Sequence, residues 1–262
     1  MKIALALSLL LFTSSALAAI VGKDVTYKAG DTVMKGFLAY DDAAKDKRAG
    51  VLVVPEWWGA NDYARKRARM LAEAGYVALV VDLYGNGQVA DNPKDAGALS
   101  GALSKNPALT QQRFQAAERY LSTQSNVKKG EIAALGYCFG GAVVLNMARA
   151  GEPLKAVASY HGILKPDASI KYTEFKPKLR VFHGEADPFV PPEQVEAFKA
   201  EMDRAKADYM FVPYPGAKHT FTNREADSYA AQFNLPLKYD HAADVDSWTR
   251  TLEFLKATLN QP

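Results

Sequence analysis

The chain has 262 residues, a net charge of +3, 48% apolar side chains and a single cysteine. That length and apolar fraction suit one sizeable domain with its own core, and no interior linker asks for two. So small a net charge makes no case for nucleic acid or a membrane surface as partner, and one thiol cannot form an internal disulfide.

The first residues set Lys2 before an apolar run from Ile3 to Phe12, then Thr13, Ser14, Ser15 and Ala16-Leu17-Ala18. This layout predicts a cleavable signal peptide over 1–18 and an exported mature domain over 19–262. The apolar run is too short to span a bilayer comfortably. Stretches near Asp24 to Lys28 and Val33 to Tyr40 read as antiparallel strands. Val51 to Val54 is the first of six short, unalternating apolar runs. The others are Val77 to Val81, Ile132 to Leu135, Ala156 to Ser159, Leu179 to Phe182 and Tyr209 to Val212. Such runs are the mark of parallel strands covered on both faces.

Helices are expected between the strands, at about Asp62 to Ala74, Thr110 to Ser122, Phe139 to Ala150 and Pro192 to Ala205. In the first, Ala64, Ala68, Leu71 and Gly75 share one side, so the basic run Arg65-Lys66-Arg67-Ala68-Arg69 reads as its solvated face. The stretch from Gly87 to Ser104, with Asn92, Pro93, Gly97 and Gly101, reads as a lid or a pair of short helices. Val245, Trp248, Leu252, Leu255 and Leu259 form an apolar stripe on a terminal helix. Strands alternating with helices imply an α/β fold, a mostly parallel sheet with helices on both faces. Its functional groups belong on loops beyond the carboxyl ends of the strands.

Three such loops carry reactive side chains. Gly136-Tyr137-Cys138-Phe139-Gly140 follows a strand and opens a helix, with glycines two before and two after the cysteine. This is the spacing of a nucleophile elbow with sulfur in place of oxygen. A sharp turn that pushes out a nucleophile leaves its neighbours no room for a Cβ. Taken alone, the motif is read equally well as a buried cysteine packed among small residues. Asp187, after Phe182-His183-Gly184, and His219, after Pro215-Gly216, then complete the chain order nucleophile, acid, histidine of the α/β-hydrolase fold. His161 reads as packing beside this site, His183 as a structural hydrogen-bonding group and His241 as a surface residue. The histidines lack ligand spacing for a metal, and no cofactor is called for. A further loop, Pro55-Glu56-Trp57-Trp58-Gly59, follows the first long strand, where the fold supplies its second oxyanion N–H. Trp57 and Phe139 are the donors assigned, and Glu56 is a carboxylate that needs a buried partner.

These segments, with Asp82-Leu83-Tyr84, Asp187-Pro188-Phe189-Val190-Pro191 and His219-Thr220-Phe221, resemble the dienelactone hydrolase family over nearly all of the mature chain. The resemblance implies a Cys138–His219–Asp187 triad that cleaves a small ester or lactone through an acyl-thioester, with Glu56 contacting the resting thiol. It also implies two carboxylate-gripping arginines, and here those positions hold Asn86 and Asn223, with Arg224 adjacent. A neutral substrate is therefore expected, bordered by Trp58, Tyr84 and the other aromatics. The same residues would serve an acyltransferase or thioesterase, and a pocketed binding or thiol-sensing protein is the alternative outside catalysis. Oligomeric state is not legible.

Overall fold

The computed structural model describes residues 19–166 and 175–259, so the signal-peptide reading of 1–18 lies outside them. In chain order the described elements are β1 (Ile20–Ala29), β2 (Thr32–Asp41), β3 (Arg48–Val54), α1 (Asp62–Glu73), β4 (Val77–Val80), α2 (Pro93–Ser104) and α3 (Pro107–Ser122). There follow β5 (Val127–Tyr137), α4 (Phe139–Arg149), β6 (Ala156–Tyr160), β7 (Lys178–Gly184), α5 (Pro192–Arg204), β8 (Tyr209–Tyr214), α6 (Ala226–Phe233) and α7 (His241–Thr258). The strands make one sheet in the order β1-β2-β4-β3-β5-β6-β7-β8. β1 pairs antiparallel with β2 and β2 with β4, while the other neighbours run parallel.

The short apolar runs form strands because they are buried on both faces. Along β3, Leu52 and Val54 turn to a core shared with Phe114 of α3, Val144 of α4 and Phe198 of α5. Val51 and Val53 point the other way, against Ala64 and Leu71 of α1 and Leu255 of α7. That two-residue alternation into two apolar layers is what a sheet covered by helices requires. Every predicted strand is present; most are extended, above all β5, which starts at Val127 rather than Ile132, while β4 stops at Val80, one residue short.

Three readings are corrected. The region from Gly87 to Ser104 holds not a pair of short helices but a turn followed by the single helix α2, capped by the Asn92 side chain. The stripe on α7 is rotated: Val245 is exposed, and the buried face runs through Ala243, Ser247, Thr251, Phe254 and Leu255. Ser247 and Thr251 turn inward because each hydroxyl bonds a carbonyl of its own helix, and Thr251 also pairs with Tyr160. The basic run on α1 is not wholly solvated either. Arg67 is buried, paired with Asp244 and donating to the Thr222 carbonyl at 2.7 Å. It stands three residues after Ala64 and four before Leu71, which is the buried side of the helix.

Candidate active site

The strand–helix turn at Cys138 is forced by its neighbours. β5 ends at Tyr137 and α4 starts at Phe139, which leaves Cys138 to reverse direction with φ +54° and ψ −117°. A non-glycine residue at positive φ is strained. A Cβ on Gly136 would lie 2.1 Å from the Gly140 carbonyl oxygen, and one on Gly140 would lie 2.2 Å from that of Val54. The glycines therefore let β5, α4 and the end of β3 meet. Asparagine side chains cap α1, α2 and α3, whereas α4 has no side-chain cap. The backbone N–H of Phe139 takes no acceptor among the described residues, and neither does that of Trp57. A helix start left uncapped in this way offers donors and a positive dipole end beside the sulfur.

Cys138, Asp187 and His219 converge as expected. The Cys138 Sγ lies 3.1 Å from His219 Nε2, and His219 Nδ1 lies 2.7 Å from Asp187 Oδ2. The second Asp187 oxygen accepts the Phe189 N–H at 2.9 Å, so the carboxylate is held from both sides. Asp187 and His219 are each 4% exposed. Burial works against a charge on His219, but the adjacent sulfur and the Asp187 hydrogen bond outweigh it and push the imidazole up to about 10.

Glu56 is brought to the site but not to the sulfur. Its Oε2 accepts from Asn223 Nδ2 at 2.8 Å, and its Oε1 is buried without a partner. No hydrogen bond joins it to Cys138, whose sulfur faces His219 instead. Burial pushes the Glu56 carboxyl up to about 7, against the opposing pull of Asn223 and of the positive charges at His219 and Arg67. Asn223 is itself 1% exposed and engaged at both ends, since its Oδ1 accepts the Glu225 N–H at 3.0 Å. It thus holds Glu56 in place from a buried position.

A cavity of about 450 Å³ opens above the sulfur, bordered by Cys138, His219, Trp57 and Phe139. Its walls are mainly apolar, with Leu103 of α2, Val143 and Met147 of α4, Ile163, Leu235 and Leu237, and Lys165 is exposed at its rim. The remaining expected substrate contacts do not line it. Trp58 is buried against Tyr229 and Phe233 of α6, the helix absent from the sequence reading. Tyr84 lies behind the wall, its hydroxyl donating to the Trp57 carbonyl at 2.7 Å and its ring stacked on Phe139. Asn86 is exposed because the Asp82 carboxylate gathers the N–H groups of Lys35, Tyr84, Gly85 and Gly87 and folds that loop outward. Arg224 is exposed over the ring of Tyr239.

Of the other histidines, His161 is fully buried with its ring 5.3 Å from that of His219, and His241 is exposed. His183 is buried, and its Nδ1 has no hydrogen-bond partner among the described residues. Among the described residues no group of three or more His, Cys, Asp or Glu side chains could hold a metal ion.

Comparison with known proteins agrees with this architecture. The description "Dienelactone hydrolase family" matches residues 34–259. A crystal structure of a dienelactone hydrolase-like promiscuous phosphotriesterase from metagenomic libraries is 34% identical. It covers 92% of this chain and all of its own, with a TM-score of 0.85. Two proteins named "Putative carboxymethylenebutenolidase" are also similar. That of Escherichia coli (strain K12) is 28% identical over 79% of this chain and 76% of its own length. That of Synechocystis sp. (strain ATCC 27184 / PCC 6803 / Kazusa) is 25% identical over 90% and 96%. With its eight-stranded sheet and its helices on both faces, this chain is an α/β-hydrolase and belongs to the dienelactone hydrolase family.

Proposed function

We propose that the protein hydrolyses small neutral esters or lactones through an acyl-thioester on Cys138. The observation that carries this reading is the pair of short contacts from sulfur to imidazole to carboxylate on the floor of an apolar cavity. His219 Nε2 takes the thiol proton, and the sulfur attacks the substrate carbonyl carbon. The carbonyl electron pair moves to oxygen, which the N–H groups of Phe139 and Trp57 receive; losing one such donor costs about 100- to 1000-fold in rate. Collapse expels the alkoxide, which leaves with the proton from His219. Water then gives a proton to His219 and attacks the thioester. The acid departs, and the sulfur recovers its proton from the imidazolium. Asp187 keeps Nε2 aimed at the sulfur throughout, and Glu56, poised to titrate near neutrality, supports the proton transfer through the field it sets beside His219.

The purified mature chain should turn over a small activated ester, and Cys138→Ala should abolish that turnover. Full activity in the variant would end the assignment. Adding an alcohol or amine acceptor should leave the free acid as the main product, where an acyltransferase would divert it. We also propose export, on the strength of the Lys2 to Ala18 pattern; the amino terminus of the protein recovered from its cells is then Ala19.

A further inference from the structure

Beneath the nucleophile turn lies a buried row of polar groups that the reaction above does not use. His161 ends the turn after β6, with φ +39°, and its ring is wholly enclosed. Its Nδ1 accepts the Cys138 N–H at 3.1 Å, a bond shared with the Tyr160 carbonyl at 3.0 Å. Its Nε2 lies 2.8 Å from Thr222 Oγ1, which lies 2.6 Å from the Tyr63 hydroxyl. Arg67 donates to that hydroxyl at 3.3 Å and is anchored by Asp244. The row therefore runs from an ion pair between α1 and α7 to the amide of the nucleophile.

An imidazole nitrogen that accepts an N–H carries no proton, so the proton of His161 sits on Nε2 and points to Thr222. We propose that His161 is a positioning residue: as the Nε2–H tautomer, locked by Thr222 and Tyr63, it holds the Cys138 amide and so fixes the direction of the sulfur toward His219. This rests on the reading of Cys138 as nucleophile. Burial, with the positive charges of His219 and Arg67 nearby, holds the ring well below the usual histidine range, in keeping with a neutral acceptor. The strained φ of Cys138 supplies the need. A turn in a sparsely populated conformation persists only where its surroundings over-determine it. The shared N–H bond ties the backbone of that turn to the row beneath it.

The test compares three substitutions of His161. In His161→Asn the side-chain oxygen falls near the place of Nδ1 and can accept the amide. In His161→Gln the polar end falls nearer the place of Nε2, and in His161→Leu neither is present. We expect Leu and Gln to lower kcat by about 10-fold or more with KM within about twofold, and Asn to recover most of the loss. Iodoacetamide alkylation of Cys138, which needs no ester, should slow in the same order. A role in packing alone would leave KM and kcat of folded Asn, Gln and Leu variants alike, and an equal loss in all three, or Leu ranking above Asn despite the φ of +39° that favours Asn, would overturn the proposal. So would wild-type kcat in His161→Leu. Should the variants not fold, 15N NMR of the wild-type imidazoles decides: a protonated Nδ1 on His161 refutes the assignment, and an Nε2–H signal upholds it. Loss of ester turnover in Cys138→Ala together with unaffected His161 variants would defeat this inference alone. Full turnover in Cys138→Ala would defeat the nucleophile reading itself.

Discussion

The carboxyl of Glu56 is a buried group that opposes stability once it ionises. In the folded chain burial raises it to about 7 from the ordinary 4.5. A carboxyl raised on folding adds stability while it stays protonated in both states, and that advantage drains away as pH climbs from 4.5 to about 7. Above neutrality the folded state carries a buried charge with one oxygen unpartnered. Glu56→Gln keeps an acceptor for Asn223 and removes the charge. It should therefore stabilise the protein at pH 8 by on the order of 3 kcal/mol and by nothing at pH 4.5, as read from urea unfolding. An equal gain at both values would sink the burial account. The meeting of Cys138, Asp187 and His219 was legible in the sequence because each follows a strand and stands in a fixed chain order. The partner of Glu56 was not, since Asn223 lies 167 positions away and the strain-free reading of an asparagine after a histidine motif is a substrate contact.

Among the elements, α2 is the one most open to improvement. It forms one wall of the cavity through Ser100, Leu103 and Ser104, yet it holds Gly97 and Gly101 in its interior. A Cβ on Gly101 would meet nothing within 4 Å. Alanine there relieves the backbone entropy that glycine loses, worth about 0.5–1 kcal/mol, without touching the sulfur. Gly101→Ala should raise the midpoint of thermal unfolding by a few degrees with kcat unchanged, and a lower midpoint would show that the space is needed. Those same glycines hid the helix from the sequence, because they weaken its propensity while the Asn92 cap and Pro93 at its start argue for it. α6 was hidden for another reason. It spans only eight residues, and what holds it is the contact of Tyr229 and Phe233 with the ring of Trp58. A contact between residues so far apart in the chain leaves no local trace. On α7 the apolar stripe misled because Ser247 and Thr251 satisfy their hydroxyls on their own helix and so bury at little cost.

For the molecule as a whole, the parallel sheet was readable from its apolar runs, and the position of the site followed from it. Glu56, Cys138, Asp187 and His219 all stand just beyond the ends of parallel strands, three of which are β3, β5 and β7. What the sequence could not convey was the chemistry of the space above them, which depends on where α2, α4 and the Leu235 to Leu237 segment meet. That space has one charged side chain apart from His219, the exposed Lys165. Neither Asn86, outside it, nor Asn223, engaged with Glu56, is available to a carboxylate. At equal ring size a neutral lactone or ester should be preferred over one bearing a carboxylate by about tenfold or more in kcat/KM, since an unpaired charge would enter an apolar site. A preference for the acidic substrate would show that Lys165 dominates recognition.

The arrangement of the indoles has an optical consequence. The chain holds three tryptophans, and of these Trp57 alone borders the cavity, with the sealed ring of Trp58 5.0 Å behind it. Trp248 lies elsewhere, beside the guanidinium of Arg67. Occupancy of the cavity is therefore coupled to the emission of a single fluorophore and its neighbour, and the protein carries its own reporter of what it holds.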